Sequence, residues 1–485
     1  MKKKRYDLTV GEKREAQRHK TQGARHKRQE RKLKRSEDPA LSGTARPQDR
    51  KTARQNMTYK ETLEFLYSQL PAYHRIGKAA YKNDLHNTNA LDEYFGSPHK
   101  NYRTIHIAGT NGKGSVSHMT ASILQEAGFK TGLYTSPHLK DYRERIKVNG
   151  EMIPENEVIS FVSDHRDVLE KITPSFFEMS VAMAFDYFSK AGVDIAVIEV
   201  GLGGRLDSTN IITPLLSVIT NIGHDHMDLL GDTIAKVAAE KAGIIKPEIP
   251  VVIGETQEET KNVFSDFALN NSSEIFFADQ NFICELGSMD FNKMSRSFSI
   301  ASNQGRKMYS GSLPLGGDYQ KANLQTVAQV FNCLSERFGI SEKHVIDGIE
   351  KVILNTGLRG RWQVLGKRPL VICDTGHNLE GLKYVIKQVL ELPASKRHFV
   401  TGFVNDKDLA SVLPLFPSDS VYYFTKASVP RAMDEEVLKE RASSYNLKGK
   451  TYKSVREAYD AALLNASPDD VIFIGGSTFV VAEVI

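Results

Sequence analysis

The residues best suited to chemistry lie in one short glycine-rich segment, Gly109-Thr-Asn-Gly-Lys-Gly-Ser115. Glycines let the backbone approach a phosphate closely, while amide groups at a helix N-terminus and a lysine ammonium favour its negative charge. The strict Walker pattern requires four residues between its first glycine and the Gly-Lys pair, whereas this segment has two, and Gly114 follows its lysine. We therefore predict phosphate binding from the strand–turn–helix context, with an ordinary glycine-rich turn as the alternative.

Carboxylates and imidazoles follow two other apolar runs. Glu199 lies at the C-terminal end of the strand predicted at 194–200. It also begins the segment Glu199-Val-Gly-Leu-Gly-Gly-Arg-Leu-Asp-Ser-Thr-Asn210. An acid at the end of a buried strand beside a nucleotide loop can hold a magnesium ion that bridges phosphates, although alone it would be an ordinary strand-end acid. Gly223-His-Asp-His-Met-Asp228 follows another strand, and its two histidines and two acids favour a functional site over a structural role.

The elements that must position these residues form an α/β pattern. From Met57 onward, short apolar runs alternate with helical patterns, which is typical of a mainly parallel sheet. We predict a P-loop-type ATPase domain followed by a smaller Rossmann-like α/β domain. The predicted strands are 104–108, 194–200, 215–220, 370–373, 398–401, 421–424 and 471–474, with a helix from the glycine-rich loop to about 127. The predicted divisions are a basic tail (1–56), a first domain (57–354), a hinge (355–362) and a second domain (363–485).

The tail differs in composition from everything after it. Residues 1–56 contain 19 Lys and Arg against 7 Asp and Glu, a net charge of +12, so the rest of the +5 chain carries −7. With one aromatic residue and few branched aliphatics, this segment cannot bury a core, and we expect it to be disordered. Three interpretations stay open: salt-sensitive nucleic-acid binding, a solvated tail without a partner, or an artefact of start-site choice.

Composition excludes several classes of protein. The 485 residues are 40% apolar and 25% charged, as in globular proteins of two or three domains. No apolar run approaches the roughly 18 residues of a membrane span, and no signal-peptide core follows the basic start. We therefore expect a cytoplasmic protein without a membrane partner. The three cysteines are far apart and form no C-x-x-C pair, which argues against disulfides and a thiolate zinc site.

Taken together, these segments resemble a known family. The glycine-rich loop, Thr135-Ser-Pro-His-Leu139, the stretch 199–210 and the Asp225-His226 pair are similar to the folylpolyglutamate synthase/dihydrofolate synthase family of the Mur ligase superfamily. Its loop has the form G-T-N-G-K-G-S, so the departure from the Walker rule is the family's own variant. The resemblance runs from about Met57 to Ile485. It implies an ATP-dependent ligase that adds L-glutamate to folate through an acyl phosphate, and it leaves open whether dihydropteroate is also a substrate.

The resemblance also implies an ATP site. The nucleotide would contact the glycine-rich loop, an asparagine in Gln320-Lys-Ala-Asn323, and two residues of the second domain. The implied ATP-binding residues are Gly109, Thr110, Asn111, Gly112, Lys113, Gly114, Ser115, Asn323, Arg361 and Asp374. The family usually has histidine where this chain has Tyr319.

Two magnesium ions are implied, bound directly or through water. The implied ligands are Ser115, Ser136, Glu199, His226 and Lys241. Lys241 matches a lysine that is carbamylated in this group, a change that turns a cation into a carboxylate-like ligand. Without the resemblance, Lys241 would be interpreted as a solvated helix lysine whose ammonium repels Mg²⁺.

Catalytic and substrate roles follow from the same resemblance. Asp374-Thr-Gly-His-Asn378 is similar to the family's D-G-A-H-N segment, with Thr375-Gly376 in place of Gly-Ala. The implied catalytic residues are Lys113, His226, Arg361, Asp374 and His377. The pterin is expected in the first domain and L-glutamate in the second. The candidate substrate-binding residues are Phe177, Glu178, Arg205, Asp207, His377 and Ser477, and the expected oligomeric state is a monomer.

Two rival functions remain. A Mur-type enzyme could add an amino acid to a cell-wall nucleotide precursor, but Gly114, where Mur enzymes usually have threonine, and the segment 135–139 argue against it. A P-loop NTPase associated with nucleic acid could act through residues 1–56. The predicted metal ligands and the Asp374–Asn378 segment argue against that second rival.

Overall fold

A computed structural model describes residues 57–69 and 84–485, which belong to one compact unit, Met57–Ile485. The predicted tail, 1–56, lies outside the described residues. Within the described ranges, every helix is too short or too polar to span a membrane.

The first sheet has eight strands and contains the strand before the glycine-rich loop. The strand order is β4-β3-β2-β5-β1-β6-β7-β8, and only the β2–β3 and β3–β4 pairs are antiparallel. Its central strands are mostly apolar and, apart from Arg103 at the start of β1, buried along their length because helices cover both faces. The strands are β1 Arg103–Ala108, β2 Thr131–Tyr134, β3 Ile146–Val148, β4 Glu151–Met152, β5 Ile195–Glu199, β6 Leu216–Ile219, β7 Val251–Ile253 and β8 Ile275–Phe277.

Helices surround this sheet and carry several of the predicted site residues. The predicted helix after the glycine-rich loop is confirmed as α3. The helices are α1 Tyr59–Gln69, α2 His86–Tyr94, α3 Lys113–Glu126, α4 Glu155–Ile172, α5 Phe176–Ala191, α6 Met227–Leu230, α7 Ile234–Ala242, α8 Glu258–Asn270, α9 Ala278–Asn281, α10 Gln320–Phe338, α11 Glu342–Glu350 and α12 Val352–Thr356. Short 3₁₀ helices span Pro98–Asn101, Tyr142–Arg145, Ser208–Ile211 and Leu413–Leu415.

A three-stranded antiparallel sheet follows the first sheet, in the order β11-β10-β9. Its strands are β9 Phe282–Asp290, β10 Ser295–Ser302 and β11 Lys307–Leu313. The sequence does not predict this sheet, because its apolar residues alternate with polar ones instead of forming continuous runs. That alternation matches a sheet with one face packed on the core, where Cys284, Phe298 and Ile300 are buried.

The second large sheet has six strands in the order β12-β13-β17-β14-β15-β16, with only the β12–β13 pair antiparallel. All seven strands predicted from apolar runs in the two large sheets are confirmed, within two residues at each end. The strands are β12 Gln363–Lys367, β13 Leu370–Cys373, β14 Arg397–Thr401, β15 Val421–Thr425, β16 Gly449–Tyr452 and β17 Val471–Gly475. The helices are α13 Leu379–Glu391, α14 Leu409–Val412, α15 Glu435–Ser443, α16 Val455–Asn465 and α17 Thr478–Ala482.

The segment between the two large sheets is held at both ends. Thr356 accepts a hydrogen bond from Lys147 Nζ at 2.7 Å through its carbonyl, and its hydroxyl lies 2.7 Å from His118 Nδ1. On the other side, the amide of Trp362 donates to Asp374 Oδ2 at 2.7 Å. The hinge at 355–362 stays a prediction, and these bonds would confine its rotation to the five residues 357–361.

Candidate functional site

The glycine-rich loop joins β1 to α3 and has a backbone that only glycine fits. Gly112 precedes the helix with φ +83°, and a methyl group there would overlap the side-chain oxygen of Asn323. A methyl group at Gly109 would overlap the Thr220 hydroxyl. Lys113 Nζ donates to the carbonyls of Gly109 at 2.9 Å and Thr110 at 3.0 Å. Burial lowers the pKa of Lys113, although the charge of Glu199 opposes that shift.

Replacing Gly112 with alanine is expected to weaken ADP binding at least about tenfold, because the added methyl group must displace Asn323 and the φ angle is strained for alanine. Isothermal titration calorimetry with ADP measures the effect. The matched control is Gly128→Ala at the end of α3, where φ is +89° but nothing lies within 4 Å of the added carbon. Equal binding by the two variants would contradict a role of this loop in phosphate binding.

A cavity of about 400 Å³ opens over this loop and brings residues from both large sheets together. Asn221, Glu255 and Tyr384 also line it. The predicted site residues that line this cavity are Thr110, Asn111, Gly112, Lys113, Gly114, Ser115, Ser136, Glu199, Asn323, Arg361, Asp374 and His377. Gly109 does not line it, but its carbonyl holds the lysine that does.

Arg361 approaches the loop from the segment before β12. A Cβ atom on Gly114 would lie 3.3 Å from Arg361 Nη2 and 3.9 Å from Glu199 Oε2, so the guanidinium and the carboxylate flank the same point of the loop. Arg361 Nη1 also donates to the hydroxyl of Thr375. Burial raises the pKa of Glu199 to about 7, while the charges of Lys113 and Arg361 oppose the rise. A cation bound here would relieve the cost of burying this carboxylate.

The predicted metal ligands offer the chemistry that Mg²⁺ requires, since hydroxyl and carboxylate oxygens predominate. Ser115, Ser136 and Glu199 line the first cavity, whereas His226 lines the neighbouring one. No group of three or more histidine, cysteine, aspartate or glutamate side chains in the described residues is placed to bind a metal ion. The oxygen donors present therefore fit a magnesium ion that keeps several waters and phosphate oxygens, and a carbamate would add one more donor.

Lys241 lies on α7 and is only 4% exposed, so its interpretation as a solvated helix lysine is wrong. Burial lowers the pKa of Lys241 to about 7, and the charge of Lys113 lowers it further, while Asp225 and Asp207 oppose the shift. Among the residues that the structure describes, no carboxylate is within ion-pairing distance of it. Lys241 lines neither cavity. The sequence missed its burial because the periodicity of a nine-residue helix does not show what packs on it.

Asp225 connects the two large sheets. Its carboxylate pairs with Lys407 Nζ at 2.8 Å, accepts a bond from Asn378 Nδ2 at 3.2 Å and lies 3.4 Å from His377 Nε2. Burial alone would raise the pKa of Asp225, but His377 and the nearby positive charges hold it well below its usual range. Burial lowers the pKa of His226 to about 4, although the adjacent Asp225 opposes the shift.

A second set of hydrogen bonds joins the glycine-rich loop to the segment that follows β13 of the six-stranded sheet. Asn111 Nδ2 donates to Asn378 Oδ1 at 3.2 Å, and Asn378 Nδ2 donates back to Asn111 Oδ1 at 3.1 Å. The amide of Asn111 donates to Asn221 Oδ1 at 2.9 Å. The loop and the Asp374–Asn378 segment therefore have a fixed relative position in this structure.

Replacing Lys407 with methionine is expected to lower kcat about tenfold, because Asp225 would lose its ion pair across the cleft between the two large sheets. The closed arrangement, in which this pair joins the two sheets, would then be less populated. Steady-state kinetics at saturating ATP measure the effect. Lys426→Met is the matched control, since Lys426, which follows β15, pairs with Asp434 at 3.2 Å and lines neither cavity. A similar loss in both variants would show that the effect is on folding.

The second cavity, of about 270 Å³, adjoins the first. Both cavities are lined by Ser136, Pro137, His377 and Thr478, so a ligand in one can reach a ligand in the other at this junction. The predicted site residues that line the second cavity are Ser136, Phe177, Glu178, Asp207, His226, His377 and Ser477.

Some predicted substrate-binding residues also have structural roles. Glu178 Oε2 accepts the amide of Ser175 at 2.5 Å in a capping box at the start of α5. Asp207 accepts amides from Leu202 and Thr209, each at 2.9 Å, and so holds the turn after β5. Arg205 pairs with Glu240 at 2.9 Å and lines neither cavity.

Other residues of the second cavity are not predicted by sequence patterns. Three cations, Arg145, Lys407 and Arg431, line it together with Asp406 and Phe479. These side chains come from elements that are far apart in the chain, so no spacing pattern along the sequence links them. One sequence signal exists: the segment Gly402-Phe-Val-Asn-Asp-Lys-Asp408, which contains Asp406 and Lys407, also resembles a segment of the family.

Comparisons with known proteins agree with this geometry. Residues 107–331 match the Mur ligase middle domain, and residues 360–478 match the Mur ligase, glutamate ligase domain. The chain is 31% identical over 442 residues to the folylpolyglutamate synthase of Lacticaseibacillus casei, covering 88% of this chain and 98% of that protein. It is 32% identical over 381 residues to the dihydrofolate synthase/folylpolyglutamate synthase of Escherichia coli (strain K12), covering 78% and 85%.

A longer relative and two solved structures extend the comparison. The probable bifunctional folylpolyglutamate synthase/dihydropteroate synthase of Haloferax volcanii is 30% identical over 442 residues, and the chain spans 50% of its length. E. coli FolC in complex with DHPP and ADP superposes with a TM-score of 0.76 at 29% identity, covering 88% of this chain and 97% of that one. A bifunctional folylpolyglutamate synthase/dihydrofolate synthase with Mn, AMPPNP and L-glutamate bound superposes with a TM-score of 0.75 at 25% identity, covering 89% and 98%.

Proposed function

Because this chain belongs to the folylpolyglutamate synthase/dihydrofolate synthase family of Mur-type ligases, we propose that it uses ATP to join L-glutamate to a folate acceptor. The observation that carries the proposal is the meeting of the two cavities at Ser136, Pro137 and His377. ATP in the first cavity would bring its γ-phosphate to this junction, and an acceptor in the second cavity would bring its carboxylate to the same point. We place the enzyme in the cytoplasm.

The first chemical step activates a poor electrophile. A carboxylate oxygen of the acceptor attacks the γ-phosphorus, the bond to the β–γ bridging oxygen breaks, and ADP leaves an acyl phosphate behind. Lys113 and Arg361 flank the loop from opposite sheets and would neutralise the charge on the transferred phosphoryl group. Bound Mg²⁺ supplies further charge neutralisation, with Ser115, Ser136, Glu199 and His226 as the residues that would hold it.

The second step forms the amide bond. The neutral amine of L-glutamate attacks the acyl carbon, the tetrahedral intermediate expels phosphate, and the amine loses a proton. Water must be kept away from the acyl phosphate throughout. The bonds between Asn111 and Asn378 and between Asp225 and Lys407 support this role, because they close the cleft beside the junction of the cavities.

We further propose that Lys241 is carbamylated. A neutral amine forms a bond to CO₂ and releases a proton, so burial of this amine with a pKa near 7 favours the reaction. The product is an anion, and its charge would relieve the repulsion from Lys113. The modification also removes the cost of leaving a buried ammonium without a paired carboxylate.

The second cavity suits an aromatic acceptor with an acidic tail. Phe177 packs its ring on the backbone of Gly201, where an added methyl group would overlap it, and so forms a flat apolar wall. Arg145 would supply positive charge for carboxylates, whereas Arg431 already pairs with Asp406 at 2.6 Å. Dihydropteroate is a second candidate acceptor, because relatives over most of this chain have both synthase activities in their names.

The test is phosphate release from ATP and Mg²⁺ with L-glutamate, using tetrahydrofolate and dihydropteroate as separate acceptors. We expect glutamate-dependent turnover with tetrahydrofolate, and turnover with dihydropteroate would establish a bifunctional enzyme. A cell-wall nucleotide precursor and a mixed RNA are the comparison substrates. Turnover with the precursor alone would favour the Mur-type rival, and RNA-stimulated ATPase activity lost on removal of residues 1–56 would favour the nucleic-acid rival.

A further inference from the structure

Tyr319 forms a hydrogen bond across the first cavity, between the residues contributed by the two large sheets. It precedes α10 in the first domain, and its hydroxyl donates to Asp374 Oδ2, at the end of β13 in the second domain, at 2.6 Å. Both side chains line the cavity, and Asp374 is only 2% exposed. The hydrogen bond therefore crosses the cleft to a carboxylate that is almost fully buried, and such a bond is strong.

On its own side of the cleft, Tyr319 is coupled to the phosphate loop. The next residue, Gln320, donates through Nε2 to Ser115 Oγ at 3.2 Å and accepts a bond from Asn323 at 2.8 Å. Asn323 in turn packs against Gly112. The first turn of α10 thus fixes the Tyr319 backbone relative to the loop.

On the opposite side of the cleft, Asp374 is hydrogen-bonded to the backbone next to Arg361. The oxygen that accepts from Tyr319 also accepts the amide of Trp362, the residue after Arg361, at 2.7 Å. The other oxygen accepts the amide of Gly376 at 2.7 Å. A shift of Asp374 would therefore move the backbone next to Arg361 and, with it, the Arg361 guanidinium.

We propose that Tyr319 is a positioning residue that acts through Asp374 to hold Arg361 over the phosphate loop when the cleft is closed. This inference rests on the proposed binding of ATP in the first cavity. The charged and titratable groups that face Asp374 are Tyr319, Arg361 and Cys373. Burial raises the pKa of Asp374, and the bond from Tyr319 opposes that rise more than any other interaction.

The direct test is Tyr319→Phe, which removes the hydroxyl and keeps the ring. We expect kcat to fall about tenfold with a smaller change in the KM for ATP, because the bond acts in the closed state. Without this donor the pKa of Asp374 rises further, so the acid limb of the pH profile of kcat/KM should move to higher pH. An unchanged acid limb would overturn the proposal.

The matched control is Tyr422→Phe. Tyr422 is a buried tyrosine in β15 whose hydroxyl donates to the carbonyl of Pro417 at 2.5 Å, and it lines neither cavity. The two variants lose a comparable buried hydrogen bond, so their melting temperatures should fall by similar amounts. A tenfold lower kcat in the control as well would mean that Tyr319 only stabilises the fold.

A double-mutant cycle on the binding of AMPPNP, which unlike ADP carries a γ-phosphoryl group, tests whether the effect passes through Asp374. We expect Tyr319→Phe to weaken binding about threefold in the wild type and to have no further effect in Asp374→Asn. Additive losses would overturn the coupling. This measurement needs no acceptor substrate. If the two substitutions are not additive in nucleotide binding but the folate assay shows no turnover, the proposed function is contradicted and the positioning role of Tyr319 is still supported.

Discussion

Replacing Arg361 with alanine is expected to lower kcat for glutamate-dependent phosphate release about a thousandfold, while ADP binding changes little. The guanidinium flanks Gly114 beside Glu199, where the γ-phosphoryl group of ATP would lie in the proposed complex. Its charge is needed most as that group is transferred, and ADP has no γ-phosphate. Arg361→Lys keeps one positive charge but loses the planar fork, so it should recover only part of the rate. Steady-state kinetics and calorimetry with ADP measure both quantities.

The control for Arg361 is Arg368→Ala in the turn between β12 and β13. Arg368 is largely exposed, pairs with Asp469 at 3.3 Å and lines neither cavity, so its removal should leave kcat unchanged. If Arg361→Ala retains more than about a tenth of the wild-type kcat, the guanidinium does not stabilise phosphoryl transfer as proposed.

Replacing Lys241 with methionine is expected to reduce kcat at least about a hundredfold, because the carbamate that would complete the metal site cannot form. In the wild type, carbamylation requires the neutral amine, and the pKa of Lys241 is lowered to about 7. The fraction of Lys241 that is carbamylated should therefore fall as the pH drops through 7, and it should be greater at pH 8 than at pH 6. Activity in CO₂-depleted buffer should be low and should return on addition of bicarbonate.

Lys236→Met on the same helix is the control for Lys241. Lys236 is exposed and pairs with Asp232 at 2.8 Å, so its loss should not affect turnover. Carbon-13 NMR of protein equilibrated with labelled bicarbonate detects the carbamate directly. A missing carbamate signal in active wild-type enzyme would remove Lys241 from the metal site, whatever the kinetics of the methionine variant.

Much of the fold follows from local sequence patterns. Continuous apolar runs such as those of β5 and β17 predicted the buried parallel strands, because both faces of such a strand must be covered. The alternating pattern of β9 to β11 was too weak to predict the antiparallel sheet. An apolar run is visible in the sequence itself, whereas a strand with one buried face can be distinguished from a loop only when its partner strands are known.

The sequence by itself determined the glycine-rich loop between β1 and α3 and predicted that it binds phosphate, because glycine spacing, lysine and a following helix are all local properties of the chain. Only the tertiary structure decided how residues distant in the chain meet. It buried Lys241 instead of exposing it, paired Arg205 with Glu240 outside both cavities, and placed Tyr319 and Lys407 across the cleft from Asp374 and Asp225. Burial and long-range pairing depend on the packing of whole elements, and no spacing along a single segment encodes them.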